Sequence, residues 1–108
     1  MKIYLDDIRT PNMTYPDDPE SWILIRTPEE FYQFWKDNEE DIIEVSFDHD
    51  LGIGHDEGYD VAKWLVYDRC MQHGLHLKRL KISVHSDNPI GKENMLSLFA
   101  NYIKHCED

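Results

Sequence analysis

The chain is short of basic residues, cysteines and long apolar runs, and each shortage removes a class of function. Eleven Lys and Arg stand against 22 Asp and Glu, a formal charge of −11 over 108 residues. Gripping nucleic-acid phosphates needs clustered Lys and Arg, so a long nucleic acid held on a basic surface is excluded. A small phosphorylated ligand held through a metal is not. Acidic excess is also a common solubility device, which accounts for most of the imbalance. The two cysteines, Cys70 and Cys106, show no CxxC spacing and make no disulfide framework. Both fall at helical positions and read as small hydrophobes. No apolar run is long enough to span a membrane, and the opening MKIYLDD is too short and too charged for a signal peptide. The chain therefore reads as cytoplasmic. Repeats, low-complexity tracts and linkers are also missing, so 1–108 reads as one domain with one core.

What is there is core material. Hydrophobic residues make up 41% of the chain, enough to argue against disorder. KIYL (Lys2 to Leu5) and WILI (Trp22 to Ile25) read as buried strands, separated by the proline-rich RTPNMTYPDDPE, which reads as an ordered loop. TPEE announces a helix, with Thr27 as cap, Pro28 at the first position and Glu30 completing a capping box. Phe31, Phe34 and Trp35 share a face of it. Ile43, Val45 and Phe47 alternate as a third strand. A helix from about Tyr59 to Gln72 turns Val61, Trp64, Leu65 and Met71 inward, interrupted by Asp68. Leu80 to Val84 is a fourth strand, whose Lys81 and Ser83 mark a less covered face. A last helix carries Met95, Phe99, Tyr102 and Cys106 at spacings of four, three and four. Strands separated by helices imply a parallel α/β sheet with right-handed crossovers.

In such sheets, ligands bind beyond the carboxyl ends of the strands. Strand one is followed by Asp6, Asp7 and Arg9, strand three by Asp48, His49 and Asp50, and strand four by His85, Ser86, Asp87 and Asn88. Strand two ends more quietly, in Arg26 and Thr27. Singly, each group is ordinary: Asp-Asp before a loop is often a turn, and a lone histidine is more often structural. His55, His73, His76 and His105 fall in loop or helix-end contexts and read as surface. Three strands ending in ionisable groups on one edge is the informative coincidence. Gathered carboxylates repel, and a divalent cation is the usual remedy. The all-oxygen set Asp6, Asp7 and Asp48 favours Mg²⁺ or Mn²⁺ over Zn²⁺. His49 and His85 are the candidate acid and base. Asn88-Pro89 reads as a helix cap and first residue, offering backbone N–H groups to a phosphate.

YLDDIRTP near the start, SFDHDLG followed by EGYDVAKWL, and the late VHSDNPIGKENM together resemble the cyclic-phosphate processing receiver-like domains. That family is a compact relative of the response-regulator receiver fold, found in bacterial and phage proteins. The resemblance runs over nearly the whole chain. It implies that Asp6 and Asp7 match the acidic pair that holds Mg²⁺ in receivers, and that Asp48 matches the aspartate that accepts phosphate in ordinary receivers. His49 and Asp50 match the family's DHD motif, His85, Ser86 and Asn88 its HS-x-N motif, and Arg9 a position able to contact phosphate. The chain departs from ordinary receivers by ending after the helix that follows strand four, with no fifth strand and no lysine after it.

The resulting expectation is a three-layer, four-stranded parallel sheet of order 2-1-3-4 with helices on both faces, a truncated receiver- or flavodoxin-like fold. The expected activity is metal-dependent hydrolysis or processing of a cyclic phosphate, in a cyclic nucleotide or at a nucleic-acid end. Asp6, Asp7 and Asp48 hold the cation, His49 and His85 transfer protons, Asp50 orients a histidine or joins the metal shell, and Arg9, Ser86 and Asn88 bind substrate. Two alternatives stand beside it: a signalling receiver phosphorylated at Asp48, and a non-catalytic module, bacterial or phage-encoded, that binds a nucleotide or a protein.

Overall fold

Four four-residue strands pair in parallel: β1 (Lys2–Leu5), β2 (Trp22–Ile25), β3 (Glu44–Phe47) and β4 (Lys81–Val84). Their order is β2-β1-β3-β4, the one expected. The computed structural model describes residues 1–48 and 58–107. Leu5 is level with Ile25 and Phe47, and Phe47 with Val84, so all four strands end on one line. Whatever follows each strand therefore arrives at the same edge.

Side chains alternate across a strand, and here the alternation makes two unlike faces. Ile3, Leu5, Val45, Phe47 and Val84 point to an apolar face and are buried in the core. Against that face lie α2 (Pro28–Asn38), α3 (Gly58–Trp64) and α4 (Pro89–Tyr102). The Phe47 ring sits 5.8 Å from Phe31 of α2 and 5.6 Å from Phe99 of α4. Tyr4, Ser46 and Ser83 point the other way, toward a short helix α1 (Pro11–Thr14) and the segment after it. Helices thus lie on both faces, three long ones against a single turn. Handedness explains the division: β1 to β2 moves one way across the sheet and the later crossovers move the other way, so right-handed connections fall on opposite faces.

The caps behave as their sequences demand. Thr27 Oγ1 accepts the Glu30 N–H at 3.2 Å ahead of Pro28, and Asn88 Oδ1 accepts the Gly91 N–H at 2.9 Å ahead of Pro89.

Four local expectations need correction. The proline-rich segment is not all loop: Pro11 starts α1, and Pro19–Ser21 forms a 3₁₀ turn. Ile43 precedes β3 and is exposed, while its neighbour Ile42 fills the core. Beyond Trp64 the third helix continues as a π-helix, Leu65–Cys70, closed by Met71 N–H donating to the Val66 carbonyl. The wider turn rotates the stripe, so Val66 and Cys70 face inward and Met71 is exposed. The last helix likewise ends in a π turn, Ile103–Glu107, which leaves Cys106 exposed. No described helix is long and apolar enough to cross a membrane.

The two cysteines thus live in opposite settings. Burial, with Glu107 and Glu39 nearby, pushes the Cys70 thiol up to about 12, where almost no thiolate forms at neutral pH. A thiol reagent at pH 8 is expected to modify one site in the native protein, and Cys106→Ser is expected to remain unmodified until denatured. Rapid labelling of folded Cys106→Ser, followed by mass spectrometry, would contradict this packing.

Candidate functional site

The strand ladder continues one residue past β1, β3 and β4, and this rigidly places the polar groups at the edge. Asp6 N–H donates to the Ile25 carbonyl at 3.1 Å, Asp48 N–H to Leu5 at 2.9 Å, and His85 N–H to Phe47 at 2.9 Å. The carboxylates of Asp6, Asp7 and Asp48 each offer an oxygen, all within 4.8 Å of one another. Asp6 and Asp48 are buried and Asp7 is half-buried.

Asp6 is the most enclosed of the three, 1% exposed. Its Oδ1 accepts the backbone N–H groups of Ile8 and Arg9, each at 2.8 Å, an Asx-type turn that curls the loop over the carboxylate. Its Oδ2 meets Arg9 Nη1 at 3.3 Å and His85 Nε2 at 2.9 Å. Burial opposes the Asp6 charge, but the two amides and His85 outweigh it and hold the carboxyl below the ordinary carboxylate range. Burial also dominates at His85, pushing the imidazole below its ordinary value despite Asp6 beside it.

Arg9 enters the acidic group from the side. Its guanidinium reaches Asp6, stands 3.8 Å from Asp48 Oδ1, and pairs with the exposed Asp87. Burial works against its charge, and Asp87, Asp6 and Asp48 more than restore it. Arg26, from the quiet end of β2, donates to the Arg9 carbonyl at 2.8 Å and the Asp6 carbonyl at 3.4 Å, bracing the loop from behind.

A cleft of about 370 Å³ opens over these groups, lined by Asp6, Asp7, Ile8, Arg9, Asp48, Ser86, Asp87 and Asn88. Six of the nine expected site residues line it: the three carboxylates, Arg9, Ser86 and Asn88. Ser86 and Asn88 also shape the helix entry, since Ser86 Oγ accepts the Asn88 N–H at 3.1 Å and Asn88 caps α4. His85 stands elsewhere, behind Asp6. Its side chain is 4% exposed, its Nδ1 lies 2.7 Å from Ser46 Oγ, and its ring stacks on Tyr4 at 4.3 Å. His49 and Asp50 lie outside the described residues. His73, His76 and His105 are exposed, as expected.

Sequence reasoning passed over Arg26, Asp87, Ser46 and Tyr15. Asp87 lay inside the recognised polar run. Ser46 carries a faint signal, a hydroxyl set between the apolar Val45 and Phe47 of its strand. Tyr15 carries none, because its reach to Ser46 and Ser83 is created by folding.

The donor set suits a hard divalent cation: carboxylate oxygens alone, close together, at rigid strand ends. Arg9 supplies part of the neutralising charge. A family model described as the cyclic-phosphate processing receiver domain matches residues 1–101 of the chain. No curated protein and no solved structure matches significantly.

A cation bound only by the native state raises the melting temperature by mass action, adding about 2.7 kcal/mol at a hundredfold excess over Kd. Millimolar Mg²⁺ or Mn²⁺ is expected to raise the melting temperature of the wild type. Asp7→Ala and Asp48→Ala are expected to lose most of that gain. Melting curves indifferent to both metals would remove the cation from the site.

Proposed function

The chain belongs to the cyclic-phosphate processing receiver domains, and from that premise we propose that it hydrolyses a cyclic phosphate, in a cyclic nucleotide or at a nucleic-acid end. The observation that carries this reading is the convergence, in one cleft, of three carboxylates, an arginine and the N-cap of α4. Asp6, Asp7 and Asp48 would hold Mg²⁺ or Mn²⁺, which supplies Lewis-acid polarisation of a phosphoryl group.

The chain's own residues do the rest. Arg9 can trade its exposed partner Asp87 for a phosphate oxygen, keeping Asp6 and Asp48 as anchors. Ser86 and Asn88, the N-cap of α4, also line the cleft, where a hydroxyl and the approach to the positive end of a helix favour an anion. His85 is assigned a positioning role rather than direct proton transfer, because both ring nitrogens are already engaged, Nδ1 by Ser46 and Nε2 by Asp6. Proton transfer falls to His49, with Asp50 orienting it, the assignment that their place directly after Asp48 supports.

Losing one general acid or base typically slows an enzyme about 10²–10⁴-fold. With Mn²⁺ present, the protein is expected to open 2′,3′-cyclic phosphates or cyclic nucleotides. His49→Ala is expected to fall within that range while melting as the wild type does. A wild type inert across such a panel would favour a binding module.

A signalling receiver would instead carry phosphate on Asp48. That carboxylate is 6% exposed, beside Asp6 and Asp7, so an added group of nearly two negative charges meets strong repulsion. Acetyl phosphate with Mg²⁺ is expected to leave no phosphoryl adduct in an intact-mass spectrum. A stoichiometric adduct that disappears in Asp48→Asn would establish the receiver reading instead.

A further inference from the structure

The thinly covered face of the sheet carries a line of polar side chains that the cleft chemistry does not use. Ser46 and Ser83 are level in neighbouring strands. The Tyr15 hydroxyl lies 2.8 Å from Ser46 Oγ and 3.0 Å from Ser83 Oγ. Ser46 Oγ is 2.7 Å from His85 Nδ1, and His85 Nε2 is 2.9 Å from Asp6 Oδ2. Tyr4 stacks on the imidazole within 7° of parallel and fixes the plane of the ring. The contacts run unbroken from the outer face of the sheet to the cleft.

Their direction follows from the Asp6 charge taken together with a neutral His85, the form that its burial favours. An ionised carboxylate only accepts, so His85 Nε2 must carry the hydrogen that Asp6 receives. A neutral imidazole has a single N–H, which leaves Nδ1 bare and obliges Ser46 to donate to it. Ser46 has then spent its hydrogen, so Tyr15 donates to Ser46 and Ser83 donates to Tyr15. The four bonds point one way, toward Asp6. Bonds aligned in this manner polarise one another in the same sense.

We propose that Ser46 and Tyr15 are positioning residues for Asp6, acting through His85, whose Nε2–H tautomer they hold and aim at the carboxylate oxygen. The metal side of this inference rests on the reading of the cleft as a cation site; the direction of the chain does not. Outer-shell partners of this kind typically change metal affinity about 10–100-fold when removed. A purely structural network would alter stability and leave the imidazole and the metal affinity unchanged.

The test combines a spectrum with a titration. Long-range ¹H–¹⁵N spectra of metal-free wild type are expected to show neutral His85 protonated at Nε2, with Nδ1 displaced from the bare-nitrogen position by the Ser46 hydrogen bond. Tyr15→Phe, which does not touch the ring, is expected to move Nδ1 back toward the bare position. Calorimetric Mn²⁺ titration is expected to show about tenfold weaker binding for Ser46→Ala and Tyr15→Phe. Tyr15→Phe alone carries the test if Ser46→Ala does not fold. An Nδ1–H tautomer in the wild type overturns the proposal. So does a Tyr15→Phe protein with both the Nδ1 resonance and the Mn²⁺ affinity unchanged. Absence of Mn²⁺ binding by the wild type, with His85 in the expected tautomer, overturns the metal reading and supports the direction of the chain.

Discussion

Asp6 keeps a negative charge at 1% exposure because four donors converge on its two oxygens: two backbone amides, a guanidinium and an imidazole. A bare buried carboxylate would cost several kcal/mol and would take up a proton instead. The donors are held from three sides, the amides by the loop after β1, that loop by the brace from Arg26, and His85 by β4 and Tyr4. Satisfying this one charge therefore ties three strand ends together. Among the described residues, no buried side-chain polar atom lacks a partner.

The same contacts temper the charge of the acidic cleft. Arg9 stands close enough to Asp6 and Asp48 to offset part of their repulsion. It is also tied to Asp87, whose side chain is 90% exposed, and pairs held in water contribute little. The guanidinium is thus anchored firmly on its buried side and loosely on its open side. An anionic ligand competes only with the weak contact, which is what an arginine at a cleft mouth needs in order to exchange partners.

Much of this was legible in the sequence, and the rest was not for identifiable reasons. Strand positions followed from alternation, and the shared edge followed from parallel pairing, so Asp6, Asp7 and Asp48 could be grouped before any coordinates. The N-caps at Thr27 and Asn88 were equally plain, because capping is decided within four residues. Met71 and Cys106 were misplaced because a regular 3.6-residue period was carried through segments that widen into π turns. Ile43 was misplaced because alternation does not say where a strand begins. The surroundings of His85 were hidden more deeply. A histidine in a sequence shows no tautomer and no neighbours, and the partners that define this one come from β1, the residue just after it, and β3.

The setting of His85 also bears on how chemistry is divided within the cleft. To act as a general base, His85 would have to release Asp6 or Ser46 and present a free nitrogen to a ligand. A hydrogen bond to a charged group contributes about 1.5–3 kcal/mol, and orphaning a buried carboxylate adds a further desolvation cost. Burial has already lowered the proton affinity of the imidazole, so a step that charges it works against its low-dielectric surroundings. A histidine in that position serves better as a fixed donor than as a proton carrier. The constraint that keeps the first carboxylate ionised thereby also holds the imidazole behind it in place.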